Sequence, residues 1–338
     1  MENGSIFEGE FFGAKGEAVG EVVFTTGMTG YIETLTDSGS YGSIVVQTFP
    51  LIGNAGIIPE DFQSSSIKVK AYIAKYPSSD PSNFRNQGDL GTFFEKNGII
   101  GVCGIDTRKL TKLIRDSGVM KGKITATPPT QADRDEIKSH TLAGAVAAVS
   151  CDKITRSGEG ERRIALLDFG VKNGVIQALV SRGCQVIRYP YNSPASEILK
   201  DSPNGIILSN GPGDPADPAN APIIETIKQL AASKIPMFGL DLGHLFLALA
   251  NGYKIQKMKF GHRGGNQPVK EVSTGRVYIS SQSHGYTVEA EDSSFVNVND
   301  NSCEGIDYGR SFSMQFVPGV GGGPKDTAFL FDRFIERM

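Results

Sequence analysis

Residues 236–251, PMFGLDLGHLFLALAN, hold the side chain best placed for chemistry. Met237-Phe238-Gly239-Leu240 reads as the end of a buried strand, and Gly243 opens an apolar helix carrying Leu245, Phe246, Leu247 and Leu249. Asp241 stands at the corner between them. Strand, sharp turn and helix make a nucleophile elbow, in which flanking glycines let the main chain turn without a Cβ collision. The corner side chain stands at a helix N-terminus, where free N–H groups and the helix dipole favour negative charge. Covalent acyl transfer at such a corner calls for Cys or Ser, and here the residue is Asp. Two readings of Asp241 follow: a carboxylate that caps the helix, or a nucleophile or base for different chemistry.

The elements that position this corner begin near residue 163. Alternation of apolar runs and helical patterns predicts strands at 164–168, 184–189 and 205–209, with helices at 173–182, 193–200 and 222–233. Such βαβ alternation implies a mostly parallel, doubly wound sheet, whose ligands bind at the carboxyl ends of its strands. Both Asn210–Asp214 and Asp241 fall at such ends. Beyond the elbow the chain turns β-like at 276–279, 295–298 and 311–316, and closes in a helix over 327–338.

The first half differs. Short β-like runs at 21–25, 43–47, 67–73 and 99–102 are divided by turn clusters, and TRKLTKLIRD at 107–116 places Leu110, Leu113 and Ile114 on one helical face. Residues 1–125 therefore read as a β-rich α+β domain, and 161–338 as the α/β domain. Between them, 126–160 is rich in Pro, Thr, Ser, Gly and charge, and reads as a linker with one helix near 142–149. The basic face of the 107–116 helix reads as solvated, or as a partner contact.

Composition excludes several classes. A chain of 338 residues with 39% hydrophobic and 21% charged side chains can fill two ordinary globular domains. A net charge of −3 gives no electrostatic footprint for nucleic acid or an anionic membrane. No apolar run reaches the roughly 20 residues of a membrane span, and the start, MENGSIFEGEFFG, lacks the pattern of a signal peptide. Cys103, Cys151, Cys184 and Cys303 are scattered, which argues against a disulfide framework or a zinc site and for a reducing cytoplasmic setting.

GPGDP at 211–215, GLDLGH at 239–244, KFGHRGGNQPV at 259–269, SQSHGY at 281–286 and DTAFLFDRFIE at 326–336 resemble the class I glutamine amidotransferase domain. More narrowly, the chain resembles the small subunit of carbamoyl phosphate synthetase. GEVVFTTGMTGYIETLTD at 20–37, FPLIGNAG at 49–56, SNFRN at 82–86 and GIDTRKLTKLIRD at 104–116 are similar to that subunit's own N-terminal domain. The resemblance covers nearly the whole chain. It implies a Cys-His-Glu triad that hydrolyses glutamine, ammonia passed to a large subunit that makes carbamoyl phosphate, and service to pyrimidine or arginine biosynthesis. It implies no cofactor and no metal.

Carried over residue by residue, the triad is missing. Asp241 occupies the nucleophile position. The closing motif Phe-His-Pro-Glu reads Phe316-Val317-Pro318-Gly319, which puts Val317 at the histidine position and Gly319 at the glutamate position. Two pocket side chains differ as well, Leu245 for Gln and Ser283 for Asn, whereas Ser40, Gly211, Gly213, Leu242, Gly285 and Tyr286 match. A carboxylate with a pKa of about 4 is a poor nucleophile toward an amide, and removing a nucleophile or its base costs on the order of 10⁴–10⁶ in rate in the serine-hydrolase template. No cysteine is expected to substitute: Cys184 lies in a strand, Cys103 in the first domain, and Cys303 reads as a loop thiol. His244 and His284 read as structural imidazoles, and His262 as part of a turn or interface. The resemblance thus implies a catalytically silent small subunit that docks on an ammonia-using large subunit. The alternatives are a repurposed enzyme built on Asp241, or a metabolite sensor using the altered pocket.

Overall fold

The computed structural model describes residues 1–338. Two compact units divide the chain, Met1–Leu142 and Ala143–Met338.

In the first unit a six-stranded sheet runs in the order Glu10–Phe11, Ile100–Cys103, Ala71–Ile73, Ile44–Gln47, Ala18–Thr25, Met120–Ile124. Its four inner strands are parallel and its two edge strands antiparallel. Parallel neighbours need crossovers, and the helices Tyr31–Thr36 and Leu90–Lys96 lie in two of them. Leu35, Val45, Tyr72 and Phe94 meet in the core. The Thr107–Ser117 helix starts where Asp106 accepts a 2.9 Å hydrogen bond from the Lys109 N–H, and buries Leu110 and Ile114, one turn apart. It stops at Gly118, whose φ of +96° suits glycine.

The segment 126–160, a linker by composition, carries ordered elements: helices Gln131–Ser139 and Ala145–Val149, and strand Thr155–Ser157. Thr130 and Asp133 form a reciprocal capping box on the first of these helices.

The second unit is built on a ten-stranded sheet. Five strands at its centre are parallel, in the order Phe312–Met314, Met237–Leu240, Gly205–Leu208, Arg162–Asp168, Cys184–Pro190. Thr155–Ser157 adds antiparallel to one margin. At the other margin Cys303–Asp307, Ser293–Asn297, Lys254–Glu271 and Val277–Glu289 follow, all antiparallel. Helices cover both faces, so the central strands are apolar throughout. Along Arg162–Asp168 the side chains alternate between two cores: Ala165 and Leu167 join Ile206, Leu208 and Phe246 on one face. Ile164 and Leu166 join Phe238, Leu240 and Phe331 on the other.

One part departs from the sequence reading. The short strand expected at 276–279 is one end of the 13-residue strand Val277–Glu289, paired with the 18-residue strand Lys254–Glu271. Irregularities between Lys257 and His262, and between Gly264 and Gln267, break its register. The polar, glycine-rich sequence therefore shows no clean period of two.

Candidate functional site

The corner at Asp241 is built as an elbow. Strand Met237–Leu240 ends, Asp241 adopts φ 51° and ψ −109°, and helix Leu242–Ala250 begins. This conformation is one that L residues avoid, at a cost on the order of 1–3 kcal/mol. Main-chain bonds hold it: the Asp241 N–H donates to Met314 O at 2.9 Å, and the Gly243 N–H to Ser209 O at 3.0 Å. Close backbone crossing explains the two flanking glycines. A Cβ on Gly239 would lie 2.7 Å from Gly243 O, and one on Gly243 would lie 2.1 Å from Leu208 O.

The Asp241 side chain does not cap the helix, which corrects the capping reading. An N-cap residue needs β-region backbone angles, and the strained corner denies them. The carboxylate turns instead toward the loop after the neighbouring strand, where its Oδ2 accepts a 3.4 Å hydrogen bond from the Gly211 N–H. That loop is pinned. Asn210 Nδ2 donates to Gly170 O at 2.9 Å, Asn210 Oδ1 accepts from the Lys172 N–H at 3.1 Å, and Ser209 Oγ accepts from the Phe169 N–H at 2.9 Å. Gly211 packs so tightly that a Cβ there would come within 2.1 Å of Phe169 O, and Gly213 has a φ of +101°. Gly211 and Asp241 are thus brought together by backbone geometry.

The other expected residues take varied places. Leu242 and Leu245 are buried in the core under the helix, and Tyr286 packs against that same core. Ser283 is exposed, facing Arg263 in the hairpin register, and Gly285 follows one residue beyond His284. Ser40 is buried within the first unit, in the 3₁₀ turn Ser38–Ser40, where its N–H donates to Asp37 O at 3.0 Å. Val317 is 7% exposed and belongs to an apolar cluster with Phe295 and Phe316. Gly319 has a φ of +58°, and a Cβ there would approach Ala328 Cβ to 2.8 Å. At these two positions the protein carries neither an imidazole nor a carboxylate.

Proton carriers near the corner are scarce. His244 is fully buried, its Nδ1 lies 2.7 Å from Ser313 Oγ, and its Nε2 has no partner. Burial pushes its pKa down to about 3, so the ring is neutral across the physiological range. The thiols are no better. Burial raises the pKa of Cys103 and Cys184, and pushes Cys151 and Cys303 up to about 11, which leaves little thiolate at neutral pH. Cys303 opens the strand Cys303–Asp307 and is buried, so it is not the loop thiol expected.

A second polar cluster escaped the sequence reading. His262 is not in a turn; it is buried in strand Lys254–Glu271 opposite His284 of the paired strand. Its Nδ1 lies 3.2 Å from Oε1 of the fully buried Glu304, and its Nε2 lies 2.9 Å from Asp300 Oδ2. Burial works against its charged form, yet Glu304 and then Asp300 outweigh it and raise the His262 pKa. Burial pushes the Glu304 pKa up and the His284 pKa well down. Gln282 and Asn297 donate to the Glu304 carboxylate at 2.8 and 3.0 Å. In sequence Glu304 lies in Asn301-Ser302-Cys303-Glu304-Gly305-Ile306-Asp307, a mixed stretch that gives no sign of a buried carboxylate.

Two family profiles match this chain: "Carbamoyl-phosphate synthase small chain, CPSase domain" over residues 1–124, and "Glutamine amidotransferase class-I" over residues 165–337. With its parallel core and elbow, the second unit is a class I glutamine amidotransferase domain. The carbamoyl phosphate synthase small chain of Listeria innocua is 43% identical over 352 residues, covering 100% of this chain and 95% of that protein. The small chain of Clostridium perfringens is 44% identical, with 99% and 97% covered. The pyrimidine-specific small chain of Bacillus subtilis is 45% identical, with 100% and 94% covered. This chain belongs to the carbamoyl phosphate synthase small chain family. No helix is long and apolar enough to cross a membrane.

Proposed function

We propose that this chain is a glutaminase-silent small subunit, docking on a carbamoyl phosphate synthetase large subunit as a scaffold or regulator while that partner uses free ammonia. The observation that carries the reading is the Asp241 carboxylate against the Gly211 N–H. A backbone donor beside the corner is the kind of group that stabilises an oxyanion during acyl transfer. Here it faces a fixed anion on the residue that should attack, and like charge opposes the developing oxyanion. Val317 and Gly319 supply no base to raise a nucleophile or to protonate the departing amine. The reading sets the chain in the cytoplasm, beside its partner.

The test is co-expression with the large subunit of the same organism, followed by carbamoyl phosphate assays on the purified complex. Ammonium should support synthesis and glutamine should not. Comparable synthesis from glutamine, or no complex at all, counts against the proposal.

One observation favours a second reading, in which the cleft binds or turns over another metabolite. The corner keeps its strained backbone and its pinned donor loop, and strain of this kind persists where the surroundings over-determine it, often at working sites. Thermal-shift screening of amino acids and nucleotides tests this, because a ligand at 100 times its Kd adds about 2.7 kcal/mol. An Asp241→Asn variant that leaves every ligand response unchanged ends it.

A further inference from the structure

The cluster on the antiparallel margin of the second sheet takes no part in the proposal above. His284, His262 and Glu304 stand on the strands Val277–Glu289, Lys254–Glu271 and Cys303–Asp307. Direct pairing of His262 with His284 puts both imidazoles on one face, with ring centroids 5.1 Å apart. All three side chains are buried, and one donor atom from each lies within 4.8 Å of the others.

The outer hydrogen bonds fix where the ring protons sit. His284 Nδ1 is 2.9 Å from the Tyr286 carbonyl oxygen, which can only accept, so Nδ1 carries the hydrogen and Nε2 presents a lone pair. His262 Nε2 is 2.9 Å from the Asp300 carboxylate, so Nε2 carries a hydrogen; Nδ1 faces inward, 3.2 Å from Glu304 Oε1 and 3.3 Å from Asn297 Nδ2, where a cation would take the place of a proton. Gln282 is oriented as well. Its Nε2 donates to Glu304 Oε2 at 2.8 Å and to Ser280 Oγ at 3.1 Å, which aims its Oε1 at His284 Nε2, 3.1 Å away. Two lone-pair atoms thus face each other with no hydrogen between them, beside a second imidazole nitrogen and a buried carboxylate.

We propose that His262 Nδ1, His284 Nε2 and the Glu304 carboxylate, with Gln282 Oε1 as a fourth donor, form a binding site for one divalent cation of the zinc class. Two imidazoles and a carboxylate are the donor types zinc takes, and ligands about 2.0–2.2 Å from a tetrahedral ion stand about 3.3 Å from one another. The spacings at His262–Glu304 and His284–Gln282 already match that edge. Each imidazole gives its outer N–H to an oxygen, Asp300 for one and Tyr286 for the other, which is how second partners orient metal-binding histidines. The site contains no cysteine, so it stands apart from the scattered thiols. It is placed to tie three strands of the sheet margin together, a structural role.

The test uses the full chain, stripped with a chelator under reducing conditions and titrated with zinc chloride by calorimetry. One zinc per chain is expected, with four-coordinate cobalt(II) absorption free of thiolate charge transfer on cobalt substitution. His262→Gln and the near-isosteric Glu304→Gln should each abolish that site, and Asp300→Asn should weaken it about 10–100-fold. His140→Ala removes a half-buried imidazole outside the cluster, at the end of helix Gln131–Ser139, and should change nothing. Thermal melts in chelator confirm that each variant folds. Absence of a stoichiometric site in the parent, or equal affinity in the folded Glu304→Gln and His262→Gln proteins, overturns the proposal; the cluster then carries a proton where the cation was placed.

Discussion

The corner at Asp241 and the hairpin around His262 hold their shapes by opposite means. Main-chain hydrogen bonds to Met314 and Ser209, and glycines where backbones nearly touch, fix the corner. Its geometry is therefore indifferent to which side chain stands at 241. The hairpin cluster is held by side chains: Gln282, Asn297 and His262 all converge on Glu304. A backbone-built site can change its reactive groups and keep its form. A side-chain-built site has no form apart from its groups.

The sharpest way to break this contrast is to put the chemistry back. The triple variant Asp241→Cys, Val317→His, Gly319→Glu restores the expected residue types, on a corner built by its main chain but on a tail shaped around Val317 and Gly319. It should still fall short of an active family member by about 10⁴ or more in glutaminase rate. Glu at 319 must adopt a φ of +58° with its Cβ 2.8 Å from Ala328, and His at 317 must enter a packed apolar cluster. Full activity in the triple variant, measured as glutamate released, overturns this expectation and shows that the tail accommodates both new side chains.

Gly243→Ala tests the backbone half directly. A methyl 2.1 Å from Leu208 O forces the helix off the strand, and the expected loss is about 3 kcal/mol in urea unfolding. A loss below about 0.5 kcal/mol, the range of an ordinary surface change, shows that the crossing is loose.

His244 adds a pH signature to the corner. Its folded pKa of about 3 lies below the ordinary histidine value. As pH falls from about 6.5, the unfolded chain gains a proton that the folded chain refuses, so stability drops by about 1.4 kcal/mol per pH unit from this residue. Above that window its contribution is fully present. His244→Leu should flatten the decline between pH 6.5 and pH 4 by about one proton, read from urea midpoints; an unchanged slope contradicts neutral burial. The smallest effect is expected from Asp241→Gly, which relieves the corner and should raise stability by about 1 kcal/mol. A drop instead means that the carboxylate's contacts outweigh the strain.

Legibility in the sequence followed the same division. The parallel core and the elbow could be read because strands covered on both faces are continuous apolar runs, and Gly239 and Gly243 bracket a sharp corner. The direction of the Asp241 side chain could not, because capping depends on backbone angles that the corner forbids. The Lys254–Glu271 strand was hidden for another reason. His262-Arg263-Gly264-Gly265-Asn266 has turn-like composition, and irregular pairing carries it through the sheet regardless. Glu304 became notable only once the fold brought Gln282, Asn297 and His262 to it. Val317 and Gly319 drew notice through family resemblance alone, since Val-Pro-Gly by its residues is merely a turn.

The most direct measurement is glutamate released from glutamine by this chain in complex with its large subunit, set beside the same complex carrying Asp241→Ala. Release at the uncatalysed background in both is the expected result. Turnover by the unaltered chain that disappears in Asp241→Ala contradicts the account, because it makes the corner carboxylate a working group in amide hydrolysis.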